Sequence, residues 1–245
     1  MIIISKEARR IIIPNTFYGR LVPAVFHRRL HRFAAEVEMA EGRETVHIPN
    51  SGRLQELLFP GNQVGLNYEG HEGRKTRYTL VGAETEAGWA FIDARLPNRI
   101  LAQAWRKLPP LSVYDRVYPE KTWGSSRFDL ALQMDGSAET AWLEAKCVTL
   151  VRNGAGLFPD APTERGRKHL LELAELSTAG KKAFVLFFLQ HPGGVSVPAN
   201  QEMDPKFAAA MTAAAQAGVA FHAYRVVPGE ETVVLTEVPV LITPD

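Results

Sequence analysis

Three side chains of this sequence have the types and spacing for hydrolytic phosphate chemistry: Asp129, Glu144 and Lys146. In Ser125-Ser126-Arg127-Phe128-Asp129-Leu130-Ala131-Leu132, a period of two assigns Arg127, Asp129 and Ala131 to one face and Phe128, Leu130 and Leu132 to the other. In Trp142-Leu143-Glu144-Ala145-Lys146-Cys147-Val148 the same rule sets Glu144 beside Lys146, away from Leu143, Ala145 and Cys147. Two carboxylates can hold Mg²⁺, a hard cation that prefers oxygen ligands, polarises a phosphate and acidifies a bound water. A neighbouring lysine can orient or deprotonate that water and offset charge developing on the phosphorane. The same alternation also describes a solvated strand face with a cross-strand ion pair, so spacing alone leaves both readings open.

The elements that must position these groups follow an α/β pattern. Strands are expected over 127–133 and 141–150, joined by the turn Asp135-Gly136-Ser137. A helix is expected over 163–178, with Thr163 as N-cap, Glu164 in the first turn and Gly180 past the end. Its Arg165, His169 and Glu172 fall at i, i+4 and i+7, beside a packing face of Gly166, Leu170 and Leu173. Arg165, Lys168 and His169 are thereby candidates to hold phosphate, although a charged outer face explains them equally well. An apolar strand over 182–190, an alanine-rich helix over 207–217 and a strand over 219–227 complete this half, after a helix over 99–107.

The first half differs. Short strands over 33–39, 45–48, 64–68, 77–81 and 89–92, punctuated by Asn50-Ser51-Gly52, Pro60-Gly61 and Glu69-Gly70, predict a small barrel of the oligonucleotide-binding (OB) type, with one or two helical turns over 53–58. Between Met1 and Arg32 seven basic residues, Arg28, Arg29 and Arg32 among them, face one acid, a local excess that suits a polyanionic partner. Asn50 and Arg53 can present to a phosphate backbone, while a turn leading into a helix N-cap accounts for Asn, Ser and Gly without a ligand.

Composition sets outer bounds. The 245 residues, 46% of them hydrophobic, suffice for a large domain or two small ones, and a net charge of +1 neither demands nor excludes a polyanion. The single cysteine, Cys147, rules out an internal disulfide and a multi-cysteine zinc site, and its strand parity directs it to the core. No continuous apolar leader and no run near the length of a membrane helix occurs, so a soluble, cytoplasmic protein is expected. His47, His71, His191 and His222 lack ligand spacing and read as ordinary turn or strand residues.

Four ordered motifs carry a resemblance: His47-Ile48-Pro49-Asn50-Ser51-Gly52-Arg53, Gly124-Ser125-Ser126-Arg127-Phe128-Asp129, Leu143-Glu144-Ala145-Lys146-Cys147-Val148-Thr149-Leu150 and Phe158-Pro159-Asp160-Ala161-Pro162-Thr163-Glu164-Arg165-Gly166-Arg167-Lys168-His169-Leu170. Over residues 28–224 the chain resembles the sugar fermentation stimulation protein family, SfsA. The resemblance implies a two-domain α+β or α/β fold, an OB-type barrel over 1–97 followed over 98–245 by a domain like the PD-(D/E)XK restriction endonucleases. It also implies DNA binding with little sequence preference and Mg²⁺ or Mn²⁺ as cofactor. Carried over, Asp129 and Glu144 take the metal-carboxylate positions and Lys146 the lysine of the E-x-K element. Glu120 is where a further acid would lie, Phe128 replaces the superfamily's proline, and Ala145 a branched residue. A non-catalytic DNA-binding regulator of sugar-metabolism genes is the rival expectation, and a sugar-binding regulator has no dedicated feature here.

Overall fold

The computed structural model describes residues 9–70 and 73–242, so Lys6 and His71 lie outside it. The chain opens with β1 (Arg10–Pro14), β2 (Val22–His31), β3 (Ala34–Met39), β4 (Gly42–His47), β5 (Gln63–Tyr68), β6 (Tyr78–Thr85) and β7 (Gly88–Phe91). Strands β4-β3-β2-β5-β6 are neighbours in that order, and the parallel pair His47↔Thr79 joins β4 to β6, closing a five-strand barrel that β7 extends. Inward residues of each strand, including Phe26, Val37, Val46, Leu66 and Leu80, fill it. Residues 53–58 form one turn, in which the Leu57 and Leu58 amides both donate to the Leu54 carbonyl (3.1 and 2.7 Å). Leu54 itself sits at φ +53°, left-handed backbone that interrupts a right-handed helix.

After α1 (Leu96–Ala104) come β8 (Arg116–Trp123), β9 (Ser126–Gln133), β10 (Ala141–Val148), β11 (Leu150–Arg152), β12 (Ala155–Leu157), α2 (Glu164–Thr178), β13 (Ala183–Leu189), β14 (Val197–Pro198), α3 (Pro205–Gln216), β15 (Ala220–Pro228), β16 (Thr232–Val238) and β17 (Val240–Leu241). A seven-stranded sheet runs β1-β16-β15-β13-β10-β9-β8, with β10, β13 and β15 parallel and the outer strands antiparallel. Parallel strands need crossovers, and α2 and α3 supply them. Both helices lay Leu170, Leu173, Phe207 and Met211 on the face carrying Val185 and Phe187. On the opposite face α1 packs Ile100 and Leu101 against Leu143, Leu186 and Phe188. Every residue of β13 is buried, which is why this stretch is apolar without alternation.

The starts of α2 and α3 are tied together. Thr163 Oγ1 caps α2 by accepting the Gly166 amide (3.0 Å), as expected, while Asp204 caps α3 through the Phe207 amide (2.9 Å) and accepts the Thr163 amide with its other oxygen (2.9 Å).

The expected first domain of 1–97 is corrected at its start, because β1 pairs antiparallel with β16 at the edge of the second domain's sheet. Its apolar alternation finds a buried face there, with Ile11 and Ile13 in the core and Ile12 exposed. Barrel and sheet are joined by buried polar groups. Gln190 Nε2 donates to the carbonyls of Phe91 and Asp93 (both 3.1 Å), and the Gln190 backbone carbonyl accepts the Phe91 amide (2.8 Å). Asp93, wholly buried, is met by Arg95 and by the Tyr18 hydroxyl. Among the described residues no helix is long and apolar enough to cross a membrane.

Candidate functional site

The pairing of β9 with β10 runs from Leu132↔Ala141 to Leu130↔Leu143 and stops. At the next residue the Asp129 side chain takes over: Oδ2 accepts the Ala145 amide (2.8 Å) and Oδ1 accepts Nδ2 of Asn98 on α1 (2.8 Å). The alternation breaks at the same residue, where the β8–β9 pairing also skips Glu120 and Asp129 before resuming at Lys121↔Phe128. Phe128 does not join Leu130 and Leu132 on the α1 side but turns to the α2 side, against Trp142 and His169. On β10 the alternation holds, so Glu144 and Lys146 share a face while Leu143 and Ala145 pack the other way.

Glu144 is buried. Its Oε1 accepts a hydrogen bond from Lys146 Nζ (2.5 Å) and lies 2.6 Å from His169 Nδ1, whereas Oε2 and His169 Nδ1 are both buried with no hydrogen-bond partner. Burial alone would raise the Glu144 carboxyl, but Lys146 and then His169 outweigh it and hold the group below its ordinary range. Asp129 moves the opposite way, raised by burial and by the charge of Glu144 despite the Ala145 amide and Asn98. Two neighbouring carboxyls are thus driven apart by their surroundings.

Both open into a cleft of about 460 Å³ at the seam of the two domains. It is lined by Arg32 and residues 50–52 of the barrel and by residues 157–163 with Arg165. Among the described residues no three His, Cys, Asp or Glu side chains converge as a ligand cluster. The carboxylates of Asp129, Glu144 and Asp160 all line the cleft. An ionised, buried carboxylate with one unspent oxygen beside a second carboxyl fits a hard divalent cation that keeps waters in its remaining positions.

The structure sorts the sequence-predicted residues. Arg32 and Arg165 line the cleft, whereas Lys168 lies outside the lining and donates to the Ser125 carbonyl (3.2 Å). Arg28, Arg53 and Arg127 lie outside the lining, Arg28 and Arg127 being near Glu36 and Glu120. Glu120 is exposed and does not join the carboxylate pair.

Three of the candidate phosphate-contact residues have close partners within the protein. Arg29 is committed to the barrel, donating to the carbonyls of Gly52 and Arg53 (each 2.7 Å), Arg32 (2.7 Å) and Asn50 (3.2 Å). Asn50 closes its own turn by accepting the Gly52 amide (2.8 Å) and donating to the Ile92 carbonyl (2.8 Å). His169 is 3% exposed and faces Glu144 beneath the cleft, because it falls within the buried stripe of α2 that also contains Gly166, Leu170, Leu173 and Leu176. Cys147 is half-buried, takes a bond from Gln190 Nε2 (3.0 Å), and burial pushes its thiol far up, which suits an inert side chain.

Asn98 and Asp160 are cleft residues that sequence reasoning did not single out. Asn98 has no periodic relation to Asp129, 31 positions away, but Asp160 lay within a quoted motif and was open to notice.

Fold and site together define a protein whose OB barrel is joined to a mixed α/β domain, with a carboxylate–lysine cleft between them. Residues 28–92 match the family model described as the SfsA N-terminal OB domain, and residues 95–232 that of the sugar fermentation stimulation protein RE domain. The chain belongs to the SfsA family. It is 39% identical over 222 residues to a sugar fermentation stimulation protein homolog of Alkaliphilus metalliredigens, covering 89% of this chain and 95% of that one. A homolog from Clostridium botulinum is 40% identical over 217 residues, covering 88% and 94%. The structure of Pyrococcus furiosus SfsA in complex with Ca²⁺ superposes with a TM-score of 0.84 at 29% identity, over 97% of this chain and 100% of that one.

Proposed function

We propose that this chain is a cytoplasmic DNA-binding protein of low sequence specificity that hydrolyses phosphodiesters, with Mg²⁺ or Mn²⁺ held by Asp129 and Glu144 in a PD-(D/E)XK-type site. The observation that carries the reading is Glu144 itself: buried, held ionised by Lys146 and His169, and left with an unpartnered oxygen beside Asp129 in an open cleft. A buried carboxylate without its full set of partners is costly, and a ligand that completes the set relieves the cost. The Ca²⁺ complex of the Pyrococcus furiosus relative supports a divalent cation as that ligand.

When bound, the metal supplies Lewis acidity toward the phosphate and acidifies a water. The chain's residues do the rest. Lys146 spends one N–H on Glu144 and keeps others to orient the attacking water and to meet charge building on the phosphorane. Arg32 and Arg165, both lining the cleft, seat the phosphate backbone, contacts that position without reading sequence. Asn98 and the Ala145 amide fix the Asp129 carboxylate.

A second reading is favoured by one observation: both oxygens of Asp129 already accept hydrogen bonds, as they would in a carboxylate retained to bridge α1 and β10. The chain would then be a non-catalytic DNA-binding regulator of sugar-metabolism genes. End-labelled single- and double-stranded DNA and RNA, incubated with Mg²⁺ or Mn²⁺, separate the two. The nuclease reading expects cleavage that Asp129→Ala and Lys146→Ala abolish while binding persists. DNA retention by the wild-type protein with every substrate left intact supports the regulator.

A further inference from the structure

We propose that His169 is a positioning residue that locks the Glu144 carboxylate in the one orientation that leaves Oε2 free for a divalent cation. The proposal rests on the metal site just described and adds a residue to it from another element. Lys146 and His169 reach the carboxylate from different elements, β10 and α2, and both lie against Oε1: Lys146 Nζ donates to it at 2.5 Å, and His169 Nδ1 stands 2.6 Å away without hydrogen-bond geometry. Rotation of the carboxyl would lose both contacts at once.

His169 is itself fixed. It is 3% exposed, its ring centroid lies 5.5 Å from that of Phe128, and α2 is held by the Thr163 cap. Gly166 lies one turn earlier, where an added Cβ would meet Thr163 at 2.8 Å and Phe207 at 3.4 Å, so the first turn of α2 is closely packed against its surroundings. A phosphate-binding histidine would face solvent; this one is sealed beneath the carboxylate it touches. Outer partners of metal ligands set ligand orientation and so affinity.

The test is Mn²⁺ binding to the full chain without nucleic acid, followed by calorimetry and by the Mn²⁺ paramagnetic resonance signal. Wild type, Asp129→Ala, His169→Leu and His169→Asn are compared, and thermal melts establish that each is folded. Asn and Leu have nearly the same size, and Asn keeps a polar N–H near the position of Nδ1. We expect His169→Leu to weaken Mn²⁺ binding about 10- to 100-fold, and His169→Asn to stay close to wild type. Should the Leu variant not fold, His169→Gln replaces it, since its amide lies a bond farther out and is expected to lose affinity where Asn retains it.

Equal affinity in the Leu and Asn variants, whether at the wild-type level or below it, would overturn the positioning role. Failure of the site itself gives a different pattern, in which wild type does not bind Mn²⁺ or Asp129→Ala binds it unchanged. That pattern removes the metal from this cleft and the proposal with it.

Discussion

Replacing Lys146 by Met keeps the apolar stem and removes the charge, leaving a buried glutamate with only His169 as counter-partner. The two side chains are 13% and 7% exposed, so solvent cannot replace the lost amine. Breaking a buried pair from one side costs about 3–5 kcal/mol when nothing else compensates; with His169 still in place we expect about 2–3 kcal/mol at pH 7. The pH dependence identifies the cause. In the wild-type protein the Glu144 carboxyl is held low, so its contribution is present above the unfolded carboxylate value of about 4.3 and fades as pH falls through the lower folded value. In the variant the opposing effect of burial gains weight and the folded value rises, so stability returns as pH falls through it. The gap between the two proteins should therefore narrow from pH 7 to pH 4 in urea unfolding under metal-free conditions. A penalty of the same size at both pH values would show that lost packing, not charge, explains it, and would refute the account of an ionised Glu144.

Two further outcomes concern the barrel wall of the cleft. Arg29→Ala should cost about 2–3 kcal/mol by freeing four carbonyls, yet leave the salt dependence of DNA binding nearly unchanged, whereas Arg165→Ala should lower that slope by about one; a drop of similar size for Arg29→Ala would return it to the phosphate contacts. Gly52→Ala places a Cβ 2.2 Å from Asp160 Oδ2 and 3.1 Å from Asn50 Oδ1, which we expect to cost about 1–3 kcal/mol in thermal melts; adding Asp160→Ala should recover most of it, and no recovery would mean that the strain is internal to the turn.

What was legible in the sequence follows from which forces act locally. Alternation assigned Glu144 and Lys146 correctly because β10 stays in regular pairing with β13 throughout, and a buried parallel strand cannot slip its register. The α2 cap and the apolar run of β13 were legible for the same reason, each being set by residues within one element. The strands that went unread are those whose identity depends on a distant partner. β1 pairs with a strand more than 200 residues away, and β8 is an edge strand that is exposed along most of its length and carries Pro119, so it shows no buried alternation of its own. In β2 the run His27-Arg28-Arg29-Leu30-His31 read as a basic patch, although it is one end of a ten-residue barrel strand.

The failed assignment of Phe128 and the construction of the site have one origin. β9 parts from β10 at the residue whose side chain accepts the Ala145 amide, and its pairing with β8 skips that same residue opposite Glu120, where the backbone is left-handed at φ +53°, before resuming at Lys121↔Phe128. Had the pairing continued, the Ala145 amide would have been satisfied by backbone and Asp129 would have lain on the sheet among apolar neighbours. Ending the ladder there releases the Asp129 carboxyl toward Asn98 and Glu144, turns Phe128 onto His169, and opens the space that the barrel loop then borders. Burial and the charge of Glu144 raise Asp129, whereas Lys146 and then His169 lower Glu144. Periodicity can locate the residues of such a site, but the break that makes them a site is a tertiary event, visible only once β9, β10, α1 and α2 are placed together.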